Sequence, residues 1–161
     1  MGLISCARLA AIVATVVHAA PNAVAVGDGS RANGAVEVVV KSYFELQSQG
    51  ACAAFVDLFA DAFEVTDPHG TPAVTSKGAL EQACESSNAT FSEVDLRATA
   101  VYPLFSGDGA AAAWHCGSVT RDRGCALDFA GVDTFAFDGD LRITKVDGFF
   151  DVSVPEAQMR C

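Results

Sequence analysis

Two aspartates stand where aspartates are costly. In residues 125–137 the odd positions are Cys125, Leu127, Phe129, Gly131, Asp133, Phe135 and Phe137. At the period of a β-strand these share one face, and that face is apolar except at Asp133. An ionised carboxylate there must find a partner or keep its proton. A neutral carboxylic acid in an apolar cleft is a hydrogen-bond donor, and such donors stabilise a developing oxyanion. Phe63, Val65 and Asp67 repeat the pattern just before Pro68-His69-Gly70. Two carboxyls on two apolar strand faces predict an acid/base pocket. The competing readings are structural: a backbone-bonded aspartate beside a bulge at Gly131, and turn chemistry in Asp67-Pro68-His69-Gly70.

These side chains need a scaffold. Residues 35–49 read as a helix carrying Val39, Tyr43 and Leu46 on one face, stopped by Gly50. A second short helix is expected over 51–60, with Ala54, Phe55, Leu58 and Phe59 as its apolar side, then a strand over 63–67 and a third helix over 77–86. From Phe91 onward the pattern changes to strands. Val94, Leu96, Ala98, Ala100, Tyr102 and Leu104 alternate, 110–120 runs back, 125–137 follows, and Asp138-Gly139 signals a two-residue hairpin into 141–152. Helices first and then a long antiparallel sheet is an α+β arrangement. Such a sheet can curl around the N-terminal helices as a cone with one open mouth. Trp114 and His115 fall on opposite faces of one strand, so one of them lines the cone.

The chain has 161 residues, 51% hydrophobic and 19% charged, which suits one globular domain with a sizeable core. A formal net charge of -10 without a basic stripe excludes nucleic acid as a partner. The N-terminus reads differently. Arg8 precedes an apolar run over 9–17, and Ala23-Val24-Ala25 (or Val17-His18-Ala19) fits a small-residue cleavage site. Residues 1–25 are therefore expected to be a secretory signal peptide, too short to span a membrane. A linker over 26–34, a domain over 35–153 and a C-terminal tail over 154–161 follow. Asn88-Ala89-Thr90 is an N-glycosylation sequon, in keeping with a secreted protein. Outside the leader five cysteines remain, Cys52, Cys84, Cys116, Cys125 and Cys161. They allow one or two disulfides plus a free or intermolecular thiol, with the pairing open. No CxxC or Cys/His cluster points to a metal.

Taken together, Tyr43-Phe44-Glu45-Leu46, the run from Phe59 through Asp67-Pro68-His69-Gly70, and Val132-Asp133-Thr134-Phe135-Ala136-Phe137-Asp138-Gly139 with Phe149-Phe150 resemble the ketosteroid isomerases. These belong to the SnoaL-like group of the nuclear transport factor 2-like superfamily, and the resemblance covers residues 36–152. It implies a cystatin-like α+β barrel: a cone-shaped, curved, mixed and mainly antiparallel sheet around N-terminal helices. It implies Asp67 as the general base, with Tyr43 and a neutral Asp133 as the oxyanion hole. Phe59, Trp114, Phe135 and Phe150 would line the substrate pocket, and His69 would be an auxiliary proton carrier. The family's supporting tyrosine on the third helix is replaced here by Cys84. The implied ligand is a small hydrophobic carbonyl compound, handled without metal or organic cofactor, in a homodimer formed through the outer face of the sheet. A SnoaL-like cyclase or dehydratase, and a non-catalytic binding protein, are the alternatives.

Overall fold

The alternation that singles out Asp133 is the frame of the fold. Residues 125–137 bury every odd position except Gly131, which is half-buried, and present most even ones to solvent. The structure, a computed structural model, describes residues 29–161; the leader and the first residues of the linker lie outside them. In chain order the elements are α1 (Gly29–Ser48), α2 (Cys52–Asp57), β1 (Phe59–Thr66), α3 (Lys77–Thr90), β2 (Phe91–Pro103), β3 (Gly109–Thr120), β4 (Ala126–Phe137), β5 (Ile143–Phe149) and α4 (Ser153–Gln158).

The five strands form one sheet in the order β1-β5-β4-β3-β2. β1 runs parallel to β5, and every other neighbouring pair is antiparallel. The architecture is α+β with a mixed sheet, as expected. One face of the sheet packs on α1, whose buried positions Val36, Val40, Tyr43 and Phe44 follow the i, i+4, i+7, i+8 rule. This stripe is one step away from the Val39, Tyr43, Leu46 face expected from sequence. Val39 and Leu46 are only partly buried at its edges.

Several boundaries differ from expectation. The linker reading of 26–34 ends early, because α1 already begins at Gly29. The second helix stops at Asp57, and Phe59 opens β1, four residues before the expected strand. A register shift between Phe59 and Glu64 absorbs the mismatch with β5. In β2 a register shift between Ala98 and Ala100 moves the period by one residue. Val101 then packs against the core, whereas Tyr102 and Leu104, expected on the inner face, are exposed. The Asp138-Gly139 hairpin is longer than two residues. Asp138 Oδ1 accepts from the backbone N–H groups of Asp140 and Arg142, and Leu141 takes a positive φ of 59°.

The C-terminal tail is not loose. Asp151 Oδ1 accepts from the Ser153 N–H and hydroxyl at the start of α4, which packs on β4. Pro155 is tolerated in this first turn because its missing N–H would have had no helical partner. A disulfide joins Cys125 to Cys161 beyond the helix. A second disulfide, Cys52–Cys84, ties α2 to α3. Among the described residues no cysteine is free, which removes the free-thiol expectation.

Candidate active site

Gly148 is the centre of the site. It faces Asp133 directly across the β4–β5 ladder, and the preceding Asp147 pairs with Thr66 in β1, so Asp67 arrives on its other side. A Cβ on Gly148 would overlap Asp67 Oδ1, lie 2.8 Å from Asp67 Cγ, and lie 3.2 Å from Asp133 Oδ1. The absent side chain is what lets two carboxyls from two different strands share one space. On the far side of Asp133 the β3 partner is Ala112, again small. The segment carrying Asp67 is fastened to the same glycine, since the His69 N–H donates to the Gly148 carbonyl at 2.6 Å. The Asp67–Pro68 peptide bond is cis.

Asp133 is 2% exposed and Tyr43 3%. Burial, and then the charge of Asp67, push the Asp133 carboxyl well above its ordinary value of 3.8; a hydrogen bond from Trp114 opposes them. Burial therefore favours the protonated form of Asp133. Burial, followed by Asp133 and Asp67, likewise raises the Tyr43 phenol, which stays protonated and able to donate. The Trp114 indole Nε1–H donates to Asp133 Oδ1 at 2.6 Å. Asp147, one residue from Gly148 but on the outer face, makes the contrast. Burial favours its neutral form, yet hydrogen bonds from Thr66 and Lys145 outweigh it and hold that carboxyl below the usual range.

Two aromatic groups flank the carboxyl pair. Tyr43 packs edge-on against Phe135 at 5.1 Å and lies among Phe44, Phe55 and Phe59. Trp114, Phe129 and Phe150 form the second group, with ring centroids 5.5 to 5.7 Å apart. Phe150 is only half-buried and follows the end of β5. Asp67 is also half-buried, so of the two carboxyls it is the one nearer solvent.

Tyr43, Asp67 and Asp133 thus converge, as do Trp114 and Phe135 beside them. Trp114, not His115, faces inward; His115 sits on the outer face, 3.1 Å from Asp128. Two expectations do not hold. His69 is exposed on the outer face, its Nδ1 3.4 Å from Asp147 Oδ1 and its ring stacked on Phe149 at 4.8 Å, so it does not serve the carboxyl pair. Asn88 Nδ2, where a glycan would be attached, lies 3.2 Å from Cys52 Sγ in a half-buried position under Gly50, so the sequon points inward and glycosylation does not fit the fold. Cys84, at the position of the family's supporting tyrosine, is held in its disulfide with Cys52. Sequence reasoning missed Gly148 and read Gly131 only as a bulge, whereas β3 and β4 pair through Gly131 without a register shift. Each is an isolated glycine within a strand pattern, the usual sign that something approaches the backbone closely. A cavity of about 560 Å³ lies elsewhere, between the ends of α3, β2 and β3, lined by Thr90, Phe91, Thr120, Arg121, Arg123 and Met159 among others.

The SnoaL-like domain family matches residues 40–146. The chain belongs to this family. Its wider relationship is to the nuclear transport factor 2-like superfamily, whose cone fold it shares with solved structures of low sequence identity. A candidate polyketide cyclase from Xanthomonas campestris pv. campestris is 19% identical, with a TM-score of 0.70 over 79% of this chain and 98% of that one. SalBIII, an epoxide hydrolase/cyclase-like enzyme of pyran ring formation in the polyether salinomycin, is 18% identical, with a TM-score of 0.68 over 75% and 94%. A Mycobacterium tuberculosis protein in complex with estradiol-17beta-hemisuccinate is 18% identical, with a TM-score of 0.66 over 74% and 95%. No curated protein matches the chain.

The site makes a firm prediction about Gly148. Gly148→Ala places a methyl into the space of the Asp67 carboxyl, so that group or the backbone must shift. The expected result is a loss of about 1–3 kcal/mol in stability from overpacking. Any acid/base activity should fall about a hundredfold as the carboxyls move apart. Thermal unfolding and turnover of the same preparation check both; a variant unchanged in both would show that the carboxyls do not meet there.

Proposed function

We propose that the chain is a cofactor-free proton-transfer enzyme of the ketosteroid isomerase type, acting on an enolisable hydrophobic carbonyl compound. The observation that carries this reading is the pairing, over Gly148, of a half-buried Asp67 with a buried Asp133 whose protonated form burial favours. A base and an acid of the same residue type, separated by environment, are what enolisation requires. Asp67 takes a proton from the carbon beside the carbonyl. The carbonyl oxygen becomes an enolate oxygen and accepts hydrogen bonds from Tyr43 and Asp133. Asp67 then returns the proton to another carbon of the conjugated system. The two aromatic groups supply an apolar surround for a ring-bearing ligand, in keeping with the steroid-derived ligand held by one structural neighbour.

A second reading rests on the same pair. A carboxylate beside a carboxylic acid can also protonate a leaving oxygen while it deprotonates either an attacking hydroxyl, which closes a ring, or the neighbouring carbon, which eliminates water. The cyclase-related descriptions of two structural neighbours favour it. The disulfides Cys52–Cys84 and Cys125–Cys161 fit an oxidising compartment and so support a secreted protein.

The test is incubation with a β,γ-unsaturated ketosteroid while following the conjugated-enone absorbance. Enone formation is expected. Folded protein that gives no turnover removes the isomerase reading. Tight binding of a phenol-bearing steroid, abolished in Asp133→Ala, would then leave the donor site to the cyclase reading.

A further inference from the structure

Trp114 does more than line the interior. It is the chain's one tryptophan, and it is buried. Its ring-edge contacts to Phe129 and Phe150 fix the indole plane. Gly131, its direct partner across the β3–β4 ladder, makes the room: a Cβ there would overlap indole Cζ2 and lie 2.6 Å from the Phe149 carbonyl oxygen. Held in this way, the indole aims its only donor at one oxygen, Asp133 Oδ1, at 2.6 Å. That same Oδ1 is the oxygen nearest Gly148 and hence on the side of Asp67.

We infer that Trp114, seated on Gly131, is a positioning residue that decides which oxygen of Asp133 carries the proton. An oxygen that accepts the indole N–H acts as the carbonyl oxygen of the acid. The hydroxyl is then Oδ2, free to donate to a ligand oxygen. The arrangement also keeps the proton of Asp133 from bridging through Oδ1 to Asp67, so Asp67 remains a carboxylate base and the two roles do not interchange. The inference rests on the neutral state of Asp133 in the proposed function, but the indole contact is measurable without it.

Isotope-edited infrared spectroscopy on aspartate-labelled protein reads the acid directly. At neutral pH the wild type should show a protonated-carboxyl band that Asp133→Asn removes. In Trp114→Phe that band should move to higher frequency, because the carbonyl oxygen has lost its donor. A band that stays in place overturns the inference. NMR of the single indole N–H decides the matter if Trp114→Phe fails to fold. The signal should be downfield and slow to exchange, and should move upfield in Asp133→Ala; a signal indifferent to Asp133→Ala also overturns the inference. If the wild type shows no protonated-carboxyl band at all, the donor role of Asp133 in the proposed function fails, while the indole signal still reports whether Trp114 holds that carboxyl.

Discussion

Asp67→Asn is expected to cut turnover by about 10²- to 10⁴-fold, with KM and the fold close to those of the parent. The substitution keeps the size of the side chain beside Gly148 and removes its capacity to take up a proton, along with a charge that is second to burial in raising Asp133. Asp67 is half-buried and near the surface, whereas Asp133 is enclosed, so only Asp67 combines access to a ligand with a place for the transferred proton. The donors remain, so binding of a phenolic ligand should persist in the variant. Steady-state kinetics on an enolisable substrate, beside an equilibrium binding measurement, checks the split. Unaltered turnover would place the base elsewhere.

The second large effect is on stability as a function of pH. Folding raises the Asp133 carboxyl above its ordinary value of 3.8, chiefly through burial. Above that value the unfolded chain releases the proton while the folded chain keeps it. The native state then binds more protons than the unfolded state, and stability falls as pH rises. The slope attributable to this residue is up to about 1.4 kcal/mol per pH unit, continuing until pH passes the raised native value. Asp133→Asn offers the same shape, an oxygen for the Trp114 N–H and a permanent N–H donor, but nothing to titrate. The variant is expected to gain stability relative to wild type progressively from about pH 4 upward. Denaturant unfolding of both proteins across this range measures the difference. Parallel curves would mean that Asp133 is ionised in the fold.

What could be read from the sequence follows from what period and propensity encode. The inner face of β4 was legible because seven alternating positions carry one exception, and a strand buried on one side leaves no other register for Phe129, Phe135 and Phe137. Tyr43 and Asp67 were legible through resemblance and through the polar end of an apolar strand. The inner face of β2 was only partly legible, since the register shift between Ala98 and Ala100 inverts the alternation without altering residue types, sending Tyr102 outward. His69 was misread because sequence proximity to Asp67 says nothing about which side of the sheet a loop residue takes; Asp147 and Phe149 hold it outside. Gly148 went unread, and Gly131 was taken only for a bulge, because their contribution is an absence of atoms, visible only once Asp67 and Asp133 have been brought to the first and Trp114 to the second. Strand period left open whether Trp114 or His115 faces inward and only the resemblance gave Trp114 as lining, while the direction of its one polar atom depends on the partner strand.

The central claim is that the pair over Gly148 holds one proton at neutral pH and that Asp133 carries it. NMR titration of protein labelled at the aspartate side-chain carboxyl carbons tests it most directly. One carboxyl is expected to stay protonated through neutral pH, while the exposed aspartates have ionised, and its signal should be missing from Asp133→Asn. A titration in which every aspartate has ionised by neutral pH would contradict it.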